Sequence, residues 1–415
     1  MGNLKGACMF GQSGGPTSVI NASAAGVFTE ALAQADITGV YGAAHGIKGI
    51  LNEDFYDISQ EDKGEIARLK TTPSSALGSV RYKLKDFEED ETDCKRLLEV
   101  FQKYDIRYFF YNGGNDSMDT CSKISRYLKK SGYECRILGV PKTIDNDLYG
   151  TDHCPGYGSA AKYIATSMME VYLDARVYDT GMATVLEIMG RNAGWLTAAS
   201  ALATYEGYGP DLIYLPEIPF EIDKFVSDVD AVYRKSGKVI VAISEGIHDK
   251  EGNYVAEMTV HQHGKDAFGH VQLGGAAAVL TRILGQKLNI KLRSIEFSLL
   301  QRCAAHCASL TDVNEAFMAG QSAVRLAIEG KSDCMVAFER GRGPEYRCET
   351  TLVDLGEVAN KEKTIPREWI NKEGHGLNEE FIQYARPLIQ GESYPQNVNG
   401  LPRFAQLKKA PVKKG

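Results

Sequence analysis

No stretch of about 18 apolar residues occurs in the sequence, which removes a membrane-spanning helix from consideration. The run Met1-Gly2-Asn3-Leu4-Lys5 leads straight into a short strand-like segment and has no secretory apolar region, so a cytoplasmic location with no membrane partner is expected. Basic excess is missing too. Lys and Arg number 47 against 54 Asp and Glu, a net charge of −7, which excludes the coating of nucleic acid by a basic surface. Cysteine offers no framework. The nine residues (8, 94, 121, 135, 154, 303, 307, 334 and 348) are odd in number and scattered through apolar stretches, the pattern of reduced thiols. Fixed-period repeats and low-complexity tracts are also lacking, which rules out a solenoid.

Glycine is what the chain has in excess: 42 of 415 residues, against a usual share of about 7%. The length predicts two or three packed units. Short apolar runs alternate with helix-length segments in a βαβα order, which predicts a parallel sheet covered on both faces. Strands are expected at 7–10, 38–43, 108–111, 136–140, 183–188, 212–215, 239–243 and 334–338. Helices are expected at 19–34, 93–104, 118–131, 160–174, 195–205, 224–234, 276–288 and 313–329. From Tyr394 onward the chain holds five Lys or Arg and no acid, so a poorly ordered tail is expected at 391–415.

Glycines cluster where strands turn into helices. Gly11-Gln12-Ser13-Gly14-Gly15 ends the first strand, and such a turn brings backbone N–H groups to an anion at a helix N-terminus. It matches neither G-x-x-x-x-G-K-[ST] nor G-x-G-x-x-G, so the standard nucleotide loops are absent. A plain strand–helix turn is the competing reading. Gly113-Gly114-Asn115-Asp116-Ser117 ends another strand, with oxygen donors suited to a hard cation or to capping a helix. Lys142-Thr143-Ile144-Asp145-Asn146-Asp147 closes a third, and its paired carboxylates suit a proton acceptor beside an orienting group, or a loop bonded to its own backbone.

With Gly78-Ser79-Val80-Arg81, Met189-Gly190-Arg191, Ser244-Glu245 and Gln301-Arg302, these form seven ordered motifs that resemble the phosphofructokinase family over about residues 5–345. The resemblance implies an α/β fold of two Rossmann-like three-layer units with mostly parallel sheets and an active site in the cleft between them. It implies a donor-phosphate unit at 1–156 plus about 301–345, a sugar-phosphate unit at 157–300, and a C-terminal helical or extension region at 346–390 before the basic tail.

It further implies transfer of a phosphoryl group to the 1-hydroxyl of fructose 6-phosphate, with Asp145 as the base and Lys142 and Arg191 as further catalytic residues. Thr143, Asp145, Asp147, Met189, Gly190, Arg191, Glu245 and Leu299 would bind the sugar, and Arg293 and Arg302 its 6-phosphate. Gly14, Gly15, Arg81, Gly114, Asp116 and Lys142 would hold the donor.

The donor is implied by two departures from the ATP-dependent pattern. Asp116 and Lys142 stand where ATP-dependent members have glycine; a carboxylate there repels a nucleotide α-phosphate, and an ammonium stabilises a transferring phosphoryl group. Both changes are those of the pyrophosphate-dependent branch, whose reaction is reversible and serves glycolysis or gluconeogenesis. An ATP-dependent enzyme and a non-catalytic regulatory subunit are the rivals.

Mg²⁺ is the implied cofactor, at Asn115 and Asp116, although Asn115 stands where the family has Asp. The implied assembly is a homodimer or homotetramer, yet Met182 replaces the Arg that crosses to a neighbouring subunit in bacterial ATP enzymes. The 269–275 segment also resembles a family motif but carries Leu273 where Arg is usual, and it is read as a branch-specific insertion. Cys303, His306 and Cys307 share a helix face without a second ligand pair, and His261 and His263 are read as exposed.

Overall fold

The computed structural model describes residues 4–259, 275–343, 345–359 and 361–413. Its first unit is a seven-stranded sheet built from β1 (Gly6–Gln12), β2 (Ile37–Ala43), β3 (Phe55–Asp57), β4 (Ile106–Gly113), β5 (Arg136–Pro141), β10 (Cys334–Arg340) and β11 (Cys348–Asp354). The order is β11-β10-β5-β4-β1-β2-β3. The five central strands run parallel, and β3 and β11 add antiparallel at the edges. The second unit is a four-stranded parallel sheet, β7-β8-β6-β9, from β6 (Met182–Ile188), β7 (Leu212–Tyr214), β8 (Lys238–Ser244) and β9 (Lys291–Glu296).

Strand β1 is apolar at consecutive positions because helices cover both sides. Ala7 and Met9 face α2 (Thr92–Lys103) and α3 (Asn115–Lys130), while Cys8 and Phe10 face α1 (Ile20–Ala31) and α7 (Leu310–Ile328). Helices α1 and α7 cross at two glycines. A methyl at Gly26 would lie 2.1 Å from the Phe317 carbonyl oxygen, and one at Gly320 would lie 2.1 Å from that of Ser23. Part of the glycine excess therefore serves helix packing rather than a ligand.

Helix α4 (Tyr157–Ala175) follows the first unit's fifth strand. The second sheet is flanked by α5 (Ile222–Ser236) and α6 (Ala276–Lys287), and α8 (Glu379–Ala385) packs beside α4 through Phe381, Ile382 and Ala385.

Two expectations are corrected. The segment 346–390 does not begin as a helical extension, because β11 pairs along the whole of β10 before the short helices start. Residues 391–413 do not form a loose tail either. The backbone amides of Gln406, Lys408 and Lys409 bond to the carboxylates of Glu65 and Glu61, Arg403 pairs with Glu65, and Val412 N–H donates to the Phe55 carbonyl at 2.9 Å. Buried Glu61 and half-buried Glu65 on the first unit answer the tail's basic and backbone donors, which composition alone does not reveal.

Candidate active site

The carboxyl end of β1 is organised by two buried amides. Gln12 Nε2 donates to Asn21 Oδ1 at 3.0 Å, while Gln12 Oε1 accepts from Leu77 N–H at 3.0 Å and Asn21 Oδ1 from Ala76 N–H at 2.8 Å. They draw residues 76–81 onto the glycine turn. There Ser79 Oγ donates to the Gly14 carbonyl at 2.6 Å, and Gly14 N–H donates to the Val80 carbonyl at 3.2 Å. Gly14 has φ +75°, a conformation L side chains resist, and a methyl on it would lie 3.2 Å from Lys142 Nζ. A methyl on Gly15 would lie 3.0 Å from Arg302 Nη1. The turn thus has two cationic groups against it.

Strand β4 ends beside this turn, and α3 starts at Asn115. Gly113 accepts from Lys142 N–H at 3.1 Å, which fixes the second glycine turn to the third motif. Asn115 Nδ2 donates to Asp147 Oδ2 at 3.3 Å, whereas Asn115 Oδ1 is buried with no partner. Asn115, exposed Asp116, Asp119 and Glu362 line a cavity of about 380 Å³. An orphaned carbonyl oxygen beside carboxylates suits a hard divalent cation.

Lys142 follows β5 and is only 4% exposed. Its loop is pinned by Asn146, which has φ +55° and is fully buried. Asn146 Nδ2 donates to Tyr384 Oη at 2.8 Å and its Oδ1 accepts from Cys154 N–H at 2.9 Å. Asp145 and Asp147 flank this pin, and Asp145 N–H is held by Thr143 Oγ1 at 3.0 Å. Burial pushes the Asp145 carboxyl up to about 6; Glu245 and Glu362 add to the rise, and Lys142 and Arg191 oppose it. Burial and then Asp145 push Asp147 up to about 6. Burial brings Lys142 down to about 8 against the pull of Asp145 and Asp147, with Arg302 and Arg81 lowering it further. A proton acceptor and a proton-holding cation thus stand together.

The second unit faces this loop from the ends of β6 and β8. Glu245 Oε1 accepts from Gly190 N–H at 3.3 Å, and Ser244 Oγ donates to the Gly190 carbonyl. Gln301, 2% exposed, takes the Met189 N–H on its Oε1 at 3.1 Å. Met189, Glu245 and Leu299 share a cavity of about 170 Å³ with Glu187 and Glu296. Glu187 was not singled out by the sequence: it is a strand residue whose carboxylate accepts from Gly275 and Ala277 N–H at the start of α6. Burial raises the proton affinity of both Glu187 and Glu245.

A strap at 361–363 joins the two units. Lys363 N–H donates to the Asp147 carbonyl at 2.8 Å, Asn192 Nδ2 donates to Glu362 Oε1 at 2.8 Å, and Trp195 Nε1 donates to the Lys363 carbonyl at 2.8 Å. Glu362 and Asn192 were missed because they lie outside the motifs, 170 residues apart. Asn146 was inside one, but nothing in its spacing marks it as the pin.

Not every expected residue converges. Arg293 pairs with Asp174 at 2.9 Å, near the far end of α4, about 25 Å along that helix from its start beside the cleft. Arg302 meets the Gly15 turn instead of Arg293. Cys303 Sγ donates to the Leu299 carbonyl and Cys307 lies by Thr166, so these thiols have partners of their own. His261, His263 and Leu273 lie outside the described residues.

A phosphofructokinase family model matches residues 8–295. The pyrophosphate–fructose 6-phosphate 1-phosphotransferase of Halomonas elongata is 46% identical over 409 residues, 98% of this chain and 97% of its own. That of Methylococcus capsulatus is 46% identical over 402 residues, 96% of this chain and 95% of its own. The crystal structure of a pyrophosphate-dependent phosphofructokinase from Marinobacter aquaeolei superposes with a TM-score of 0.89 at 41% identity, covering 99% of this chain and 98% of that one.

Proposed function

This chain belongs to the phosphofructokinase family, and from that premise we propose that it transfers a phosphoryl group from pyrophosphate to the 1-hydroxyl of fructose 6-phosphate. The observation that carries the choice of donor is Lys142, a buried ammonium lying against the Gly14 turn with Arg302 beside it at Gly15. An ammonium without solvent is worth most where it meets a transferring phosphoryl group, and it fills space that a glycine would leave to a larger donor.

In the reaction Asp145 accepts the hydroxyl proton as that oxygen attacks phosphorus in line; the new O–P bond forms as the bridging P–O bond breaks, and phosphate leaves. Asp147 and Thr143 hold the Asp145 loop, and Met189, Gly190, Arg191 and Glu245 present the sugar. Arg81 and Arg302 add positive charge on the donor side. Mg²⁺ would be held by the unpartnered Asn115 Oδ1 with Asp116, and when bound it neutralises charge on the pyrophosphate oxygens. The phosphoryl-transfer potentials of donor and product are similar, so the reaction runs in both directions. Cytoplasmic, homo-oligomeric enzyme is part of the same reading; Leu299 and Leu300, each more than half exposed beside the site, support self-association.

Purified protein assayed with pyrophosphate and with ATP decides the donor: activity with pyrophosphate and little with ATP is expected, and ATP preference would sink the reading. Inactivity with both would favour a regulatory subunit. Lys142→Gly combined with Asp116→Gly weakens pyrophosphate use by about 100-fold or more.

A further inference from the structure

Behind the Asp145 loop, and outside every motif, lies a closed ionic array. His153 is 2% exposed. Its Nδ1 lies 2.8 Å from Asp152 Oδ1 and its Nε2 lies 2.7 Å from Glu315 Oε2 on α7. Its ring stacks on Phe338 of β10 at 4.9 Å. Arg340 of β10 also donates to Asp152 Oδ1, and Tyr346 Oη donates to the other Glu315 oxygen at 2.7 Å. With both ring nitrogens against carboxylates, His153 satisfies both only as a two-donor imidazolium. Arg340 and His153 then balance Asp152 and Glu315. The Cys348 thiol beside Glu315 keeps its proton, through burial and that neighbouring charge.

The residues on either side of His153 reach the catalytic loop. The Asp152 carbonyl accepts from Tyr384 Oη at 2.8 Å and from Lys363 Nζ at 2.7 Å, and Cys154 N–H donates to Asn146 Oδ1. Tyr384 Oη in turn accepts from Asn146 Nδ2. Asn146 is therefore held from both ends of its amide by residues on either side of His153.

We propose that His153 is a positioning residue for the base: clamped between Asp152 and Glu315, it bolts residues 152–154 to α7, and Asn146, hung from that segment, sets where Asp145 and Asp147 stand. Burial opposes the imidazolium, yet its bonds to the two carboxylates raise its pKa above the ordinary value. Removing it leaves Arg340 alone to balance the Asp152 and Glu315 carboxylates and breaks the link between them, which forces the segment to shift. A displacement of about 1 Å at the base costs about 100-fold in rate without loosening either substrate.

The inference rests on Asp145 being the base. The test is steady-state kinetics of His153→Gln and of Tyr384→Phe, with ¹⁵N NMR of histidine-labelled protein. Tyr384→Phe keeps the ring packed between Trp195 and Trp369 and removes only the hydroxyl. In both variants kcat falls about 10- to 100-fold while KM for pyrophosphate and for fructose 6-phosphate stays within about threefold. At pH 8 the signal lost in His153→Gln has both nitrogens protonated in the wild type. A neutral tautomer there, an unchanged kcat in either variant, or KM rising in step with the loss of kcat overturns the role. Should His153→Gln fail to fold, Tyr384→Phe decides alone. A wild-type protein inactive with pyrophosphate would instead overturn the reading of the site itself.

Discussion

At the scale of the residue, shared burial shifts both the proposed base Asp145 and the proposed donor-side cation Lys142, and on that reading their charges set a pH window. Asp145 must be ionised to accept a proton, and its carboxyl sits at about 6, so kcat/KM rises as pH climbs through that value. Lys142 must stay charged, and with its ammonium at about 8 the rate falls above it. A bell-shaped profile of kcat/KM with limbs near those values is expected, and a flat profile between pH 5 and 9 would contradict the pairing. The same burial carries a stability cost at neutral pH, because a folded-state carboxyl raised above its unfolded value is held ionised against its surroundings. Asp145→Asn therefore lowers kcat by about 1,000-fold or more and raises the melting temperature by about 2 °C or more, read by calorimetry. These residues were legible in the sequence because a lysine and two carboxylates crowd six positions. The bonds that Asn146 and Gln301 make inside their motifs were not, nor was Glu187 at all, since a buried amide or carboxylate bonded to backbone has no signature until the chain segments it joins are known.

Among the elements, the legible strands were mostly those buried along their length. Strands β1, β2, β4, β5, β6, β7, β8 and β10 lie within a few residues of their expected positions, because a core strand of a parallel sheet is a nearly continuous apolar run. Within the two main sheets the three that went unread are β3, β9 and β11, each at a sheet edge. Strand β9 carries Lys291, Arg293 and Glu296 and shows one side to solvent, and β11 has no fully buried residue, so neither breaks from its polar flanks. Glycine was read only as a strand-end turn or a ligand cradle, and the α1–α7 crossing shows another use. Helix propensity alone predicts that Gly320→Ala adds up to about 1 kcal/mol of stability. The 2.1 Å approach to the Ser23 carbonyl reverses the sign, and a loss of about 1–3 kcal/mol is expected from the shift of the urea midpoint.

Over the whole molecule, net charge was a poor guide, since a chain of −7 gathers Lys142, Arg81 and Arg302 around one turn to meet two small polyanions. The length allowed two or three units and the family resemblance implied two, but neither carried the closing contacts. Strand β10 and helix α7 complete the first sheet only after the whole second sheet has intervened, and the last residues return to Phe55, Glu61 and Glu65. Contacts this far apart in sequence have a price in time. On the ribosome the strands of the second sheet emerge as an uninterrupted stretch, though Ile365, Ile370 and Phe381 join their core only later, and α1 leaves the exit tunnel some 290 residues before α7, the helix that covers it. At about 5–20 residues per second, that apolar face waits roughly 15–60 s for its partner, which makes the nascent first unit, rather than the finished enzyme, the form of this protein most in need of a chaperone.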